Sequence, residues 1–385
     1  MNSKEMTAKE RIMAVLNHEH PDIIPFTTYP HEITLAGLAF SEPWRKLLDK
    51  GLGLNLTFLA PIYKVKCPKV KMELTHDYAD TSSWSPVDIL SSMREPHDVY
   101  GTISTPKGCL SVKTHWKSLT LLDIPWFGED GYIIKDLPDY EVIKYLIEET
   151  EYTPEYDQLK MIQMMAGNYG VVPASMPKSP IQAMIQLMGY RTFSLDYYTH
   201  RKEFEELYKL IYKKELEAYK IAAESPAELV WAVDNVNGQI TTPKIFENYS
   251  LPFYNEAADI LHKQDKKYIV HMDGLLSNIS DLIPKTKIDA IESFTPPPMG
   301  DLPLKEAKKK WKDKIIWCNF PETVSLYGKK AVKQRTLEIL KSIAPGDNFI
   351  MGVSEDFPSA LHELDAVTTI LKTVNKHGKY PISIE

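Results

Sequence analysis

ELVWAVDNVNGQITTPKIFENYSLPFYNEAADILHKQDKKYIVHMDG, residues 228–274, reads as a strand, a helix and a second strand. Its two ends are short apolar runs, ELVWAVD (228–234) and KYIVHMD (267–273), each stopping at an aspartate. Between them, SLPFYNEAADILHKQ (250–264) starts at a serine, with proline two positions on, and spaces its apolar residues for one helix face. Two short buried strands joined by a helix form a parallel pair, because only a crossover returns the chain to the same sheet edge.

Working outward, the same kind of apolar run recurs as IIPFTTY (23–29), NLTFLAP (55–61), YGVVPAS (169–175), DAIESF (289–294), IIWCNF (315–320) and NFIMGVS (348–354). FEELYKLIYKKELEAYKIAA (204–223) and VSLYGKKAVKQRTLEILKSI (324–343) supply further amphipathic helices. Eight such strands predict a closed (β/α)8 TIM barrel, preceded by N-terminal helical sequence. The rival, an open doubly wound sheet, lacks its glycine-rich phosphate fingerprint after any strand. The stretch from about 64 to 130 breaks the alternation, with turn-rich, strand-like segments such as VYGTISTPKGCLSVKTHW. It predicts an antiparallel hairpin inserted between the second and third barrel strands, either a cap or partner surface or plain decoration. With no flexible linker, residues 1–385 are expected to form one barrel domain.

Composition narrows the function classes. The 385 residues are 43% hydrophobic and 25% charged, an ordinary globular mixture. No apolar run approaches the roughly 20 residues of a membrane span, and MNSKEMTAKERIMAVL is charged and helical rather than a signal sequence. Three scattered cysteines, Cys67, Cys109 and Cys318, make no disulfide framework. A cytoplasmic protein is expected. A net charge of −7 excludes the basic footprint of a nucleic-acid binder. Only six of the 45 basic residues are arginine. Arginine is the planar, bidentate ligand for carboxylates, so a substrate rich in carboxylates is poorly served.

The opening MTAKERIMAVLNHEHPDIIPF, then SPIQAMIQLMGYRTF (179–193), VDNVNGQITTPKIFENYSLPFYNEAADIL (233–261) and HMDG (271–274), resemble the uroporphyrinogen decarboxylase superfamily over nearly the whole chain. Within it the chain looks more like the corrinoid-dependent methyltransferase branch than the decarboxylase. The arginine-rich segment with which the decarboxylase grips its substrate is replaced by TTYPHEITLAG (27–37).

Barrel enzymes work at the carboxyl ends of their strands, which here carry Asp234, His271, Asp273, Glu292, Cys318, Ser354 and Glu355. His271, Glu292 and Cys318 end three successive strands, about 4.8 Å apart, and one imidazole, one carboxylate and one thiolate make a zinc set with an open position. The resembled methyltransferases bind zinc through a His-x-Cys pair, sometimes a glutamate one strand later, and a cysteine after the last strand. Here Asp273 stands for the paired cysteine, and Ser354 or Glu355 for the last one. Plainer readings stay open. Cys318 is a buried core thiol, Glu292 a partner for a lysine, and Asp273 with Gly274 a turn. Asp234 orients His271, holds substrate or caps a helix. Phe26, Tyr29 and Met176, with the polar tips of Asn235 and Asn237, are expected to line the substrate pocket; Phe58, Tyr63, Met184 and Met188 are further wall or core residues. Cys67 and Cys109 read as structural.

The resemblance implies a methyltransferase that moves a methyl group from a methoxylated aromatic to cobalamin carried on a separate corrinoid protein. Zinc would polarise the ether oxygen, and Asp273 or Glu355 would supply or relay a proton. The alternatives are transfer from a methylated corrinoid to a thiol or folate-type acceptor, a uroporphyrinogen-type decarboxylation, and a non-catalytic corrinoid-protein-binding barrel. Oligomeric state is open, a homodimer among the options.

Overall fold

The computed structural model describes residues 5–29, 42–57, 61–76, 97–116, 132–354, 357 and 359–384. Two compact units emerge: one of residues 1–62, 156–176 and 222–385, the other of 63–155 and 177–221.

The first unit holds a parallel sheet whose strands follow the chain as β1 (Phe26–Thr28) and β2 (Leu52–Asn55), then, after the strands of the second unit, 170–171, 174–176, Leu229–Ala232, Lys267–His271, Ala290–Phe294, Ile315–Asn319 and Phe349–Val353. The first and last of these strands pair with each other, Thr27 beside Gly352, and every other neighbour in the ring is also parallel. Gly170–Val171 pairs with β2, while Ala174–Met176 pairs with Leu229–Ala232. These two short strands are halves of one segment interrupted at Val172 and Pro173, and through them the sheet closes on itself as an eight-membered TIM barrel. Seven of the expected apolar runs overlap their strands closely. The second strand ends at Asn55, so it lies just before NLTFLAP rather than along it.

The helix Ala8–Leu16 begins at a capping box, the Thr7 hydroxyl accepting from the Glu10 amide and the Glu10 carboxylate from the Thr7 amide. Its buried face, Ile12, Val15 and Leu16, packs with Leu229, Trp231, Ile269, Ala290, Ile315, Trp317 and Ile350. Several of these are the first residues of their strands, so the helix plugs the amino end of the barrel and leaves the carboxyl end for chemistry. The buried Arg11 reaches from it to Asp22, through Nε at 2.7 Å and Nη2 at 3.0 Å. Burial alone would raise the Asp22 carboxyl, but the Arg11 guanidinium and two backbone amides hold it below the ordinary carboxylate range. Its stabilising effect is therefore complete above the unfolded pKa of about 3.9 and lost as the pH falls through the lower folded value. Asp22→Ala strands the buried guanidinium and should cost about 3 kcal/mol at pH 7. In urea unfolding, the gap between wild type and variant should close as the pH is brought below 3 or so; a gap independent of pH would show that the pair is not the cause.

Helices after the later strands complete the unit: Leu304–Lys310, Gly328–Ile343 and Ala360–His377. The helix expected from Ser250 starts earlier. Thr242 caps it ahead of Pro243, a π-helical turn spans Phe246–Ser250, and Leu251–His262 continues it. Ser250 is thus inside the helix, because Thr242 with the adjacent proline is the stronger start signal.

The second unit contains an antiparallel sheet of three strands, Lys71–His76, His97–Thr105 and Gly108–Trp116. The inserted hairpin is the last two of these, with a third strand added along one edge. Tyr63–Lys66 pairs antiparallel with Glu151–Pro154, and the helix Leu137–Glu149 sends the Tyr140 hydroxyl to Asp196, 2.7 Å away, on the helix Pro180–Thr199. Met184, Met188 and Phe193 are buried on that helix, which places the two methionines in this unit's core. Phe58 lies outside the described residues. Among the described residues no helix is long and apolar enough to cross a membrane.

Candidate active site

Alternation along the strands decides which side chains face the lumen. Trp231, Ile269, Ala290, Trp317 and Ile350 belong to the interior cluster. Two residues beyond Ile269 and Ala290, on the same faces, come His271 and Glu292, which are neighbours across the two strands. Tyr29 follows the lumen-facing Thr27, whose hydroxyl accepts from the Trp317 indole at 2.9 Å.

Glu292 is the hub of the resulting cluster and is 1% exposed. The Tyr29 hydroxyl donates to its Oε1 at 2.6 Å, the Trp231 indole N–H to its Oε2 at 3.0 Å, and His271 Nδ1 to the same Oε2 at 2.7 Å. The Trp231 ring meets the imidazole edge-on at 5.8 Å. With Nδ1 turned to Glu292, His271 directs Nε2 outward, 3.7 Å from the half-buried Asp273. Burial disfavours the imidazolium, but the charge of Glu292 and the bonds to Asp273 and Glu292 outweigh it, and His271 is pushed up to about 10. The ring is a cation at neutral pH, with an N–H on each side.

Loop packing fixes Asp273. A side chain on Gly274 would lie 2.5 Å from the Val236 carbonyl and 2.9 Å from Asn237, so only glycine lets the two loops meet. Asn237 itself accepts from the Gln239 amide at 2.9 Å in a local turn. Asn235 is half-buried in a left-handed conformation, φ 47°. Ser293, directly after Glu292, is left-handed too, φ 60°, at an irregularity in the strand, and its hydroxyl lies 2.5 Å from that of Ser354. Backbone strain of this kind concentrates at functional sites.

Four sequence expectations change. Cys318 lies between lumen-facing Trp317 and Asn319 and beside Phe294, which packs on Trp311 in the helix layer at 5.3 Å. Its thiol therefore points away from His271, donates to the Asn319 carbonyl, and is pushed well up by burial. The His271, Glu292 and Cys318 side chains do not converge as a zinc set, and both Glu292 oxygens are already engaged. Among the described residues no three His, Cys, Asp or Glu side chains are placed to hold a metal ion. Asp234 is fully buried and accepts from Tyr254 on the packing helix at 2.6 Å, and the carboxylate on the His271 ring is Glu292. Phe26 and Met176 occupy the outward faces of their strands, next to Thr27 and Ser175, which face in. They are core rather than pocket wall. Glu355 lies outside the described residues.

Sequence reading missed Trp231. An indole in the middle of an apolar run reads as packing, and only the ring of strands brings its N–H to a carboxylate two strands away.

Residues 136–377, well over half of the chain, match the uroporphyrinogen decarboxylase (URO-D) family. The chain belongs to this family. The match includes Trp231, His271 and Glu292, while Tyr29 precedes it. Among solved structures, a methyltransferase from Methanosarcina mazei is similar over 97% of this chain and 99% of its own, with a TM-score of 0.55 and 14% identity. At that identity the likeness is one of fold. Dispersin B aligns over 66% of this chain and 82% of its own at 11% identity, with a TM-score of 0.31, too low to carry an argument. No curated protein matches the sequence.

Proposed function

We propose that this URO-D member is a methyltransferase that takes the methyl group of a small methoxylated aromatic and passes it to the corrinoid of a separate carrier protein. The observation that carries the reading is the geometry of His271 at its strand end, with Nδ1 held 2.7 Å from Glu292 and Nε2 turned to the Asp273 side. Family membership and a fold shared with a methyltransferase support it.

A reduced corrinoid supplies the nucleophile for the methyl carbon. The chain's own residues act on the other end of the breaking bond. The ether oxygen lies against His271 Nε2–H; as the carbon–oxygen bond breaks, its electron pair stays on oxygen. Phenolate is a base of pKa near 10, so it is a poor leaving group unless its charge is met. The Nε2–H donates a hydrogen bond to that oxygen and then its proton, leaving phenol and a neutral imidazole. Asp273, beside Nε2, returns a proton from solvent. Glu292 keeps the ring oriented, and Tyr29 and Trp231 keep Glu292 in place.

The test is methylation of a reduced corrinoid protein by a set of methoxyarenes, with methanol and methylamines as controls. Dependence on the methoxyarene is expected; methylation by methanol or a methylamine alone would remove this substrate class. The decarboxylase alternative is excluded by a parallel incubation with uroporphyrinogen, where no coproporphyrinogen is expected. Of the described arginines, Arg11 serves the amino end, Arg45, Arg201 and Arg335 pair with acidic neighbours on helices, and Arg191 is exposed on the helix Pro180–Thr199 of the second unit. Unmet substrate carboxylates would each forgo about 1.5–3 kcal/mol. Turnover of uroporphyrinogen at ordinary enzymatic rates would overturn the assignment.

A further inference from the structure

Asn55 ends β2, and its place on the strand puts it inside the barrel. Two residues earlier, a side chain on Gly53 would meet Ile12 and Thr27, both on the interior. Across the strand pair, Asn55 sits beside Val171, another interior residue. Extending the register of β1 and β2 by one residue places Asn55 next to Tyr29, the donor to Glu292. The Leu56 amide still bonds to the Val171 carbonyl, so the ladder and its alternation continue toward Thr57.

Asn55 is 1% exposed and Thr57 is 3% exposed. Neither the amide nitrogen, the amide oxygen nor the Thr57 hydroxyl has a hydrogen-bond partner among the described residues. A buried polar atom left without a partner costs about 1–3 kcal/mol, and an apolar side chain of similar size would avoid that cost. Three such atoms on one strand edge, on the lumen side beside the Tyr29–Glu292–His271 cluster, call for a partner that the described residues do not provide.

The geometry points to Asn55 and Thr57 as a polar subsite of the barrel mouth that binds an uncharged hydroxyl group of the ligand. An amide and a hydroxyl together both donate and accept, which a ligand hydroxyl matches atom for atom. Both residues are neutral, so a ligand carboxylate would find no countercharge in them. The inference rests on the mouth being a site for a small aromatic molecule. It does not depend on which group that molecule transfers.

Phenol and toluene have the same shape and differ in hydroxyl against methyl, and the two variants separate a preference set by Asn55 and Thr57 from one set by His271. Binding of each is measured by calorimetry to the wild-type chain, Asn55→Leu and Thr57→Val. Wild type should prefer phenol to toluene at least about tenfold. Each variant should lose most of that preference while keeping its affinity for toluene. If Asn55→Leu does not fold, the milder Thr57→Val still decides. Equal affinity for phenol and toluene, or a preference unchanged in both variants, overturns the subsite and leaves the aromatic reading standing. Binding of neither compound removes both. A hydroxyl preference that depends on Asn55 and Thr57, in a chain that methylates no corrinoid protein, supports the subsite and removes only the reaction.

Discussion

His271→Ala is expected to slow methyl transfer from a methoxyarene to a reduced corrinoid protein at least about 100-fold, some 2.7 kcal/mol of transition-state stabilisation. The imidazole is also the counterion of the buried Glu292, so the rate is read on a variant shown by urea unfolding to be folded. What it provides is a donor aimed at the leaving oxygen. That donation strengthens as charge develops, so the loss should fall on kcat more than on KM. Leaving groups test the assignment further. A methoxyarene whose phenol is strongly acidic needs less help from a proton donor, so the defect of the variant should shrink with it. A defect equal for every leaving group would take His271 out of the proton-donor role, and a rate within a few-fold of wild type would take it out of the reaction.

Glu292→Ala is the substitution with the largest expected effect on stability. It leaves the Tyr29 hydroxyl, the Trp231 indole and His271 Nδ1 facing one another without the acceptor they share. The charge on His271 then has no buried counterion, and losses of about 3–5 kcal/mol accompany a broken buried pair of this kind. Tyr29→Phe removes a single donor and leaves Glu292 with two others, so its cost should be smaller, about 1–3 kcal/mol. Urea unfolding with an unchanged slope would read both as differences in midpoint. A Glu292→Ala chain within about 1 kcal/mol of wild type would mean that the cluster is not formed as described.

The substitutions also separate what was legible early from what was not. His271 and Glu292 stand out in the sequence because each is a titratable residue at the end of an apolar strand, and strand ends can be read by counting. Their partnership cannot be read that way. It depends on two adjacent strands being in register, His271 opposite Glu292, and the same count placed Cys318 beside them. Cys318 sits between lumen-facing Trp317 and Asn319 on an unbroken strand, so alternation turns its thiol to the helix layer and away from His271 and Glu292. The irregularity at Ser293 then brings Phe294 beside it on that outer face. Asn55 shows the same limit from the other side. The apolar run after it suggested a later strand, and only pairing with β1 and with Gly170–Val171 fixes where β2 ends.

By itself the sequence determined the alternation of apolar runs and amphipathic helices, hence a parallel barrel, because burial periodicity is a local property of the chain. It also determined the scarcity of arginine and the identity of the residues at the strand ends. The tertiary structure decided which of those residues meet. Tyr29, Trp231, His271 and Glu292 come from four strands spread over more than two-thirds of the chain, and closure of the ring alone brings Tyr29 across to Glu292. Hydrogen bonds are directional and act over about 3 Å, whereas burial tolerates any neighbour of the right size. The fold could therefore be read from pattern, while the site required the register of every strand around the barrel.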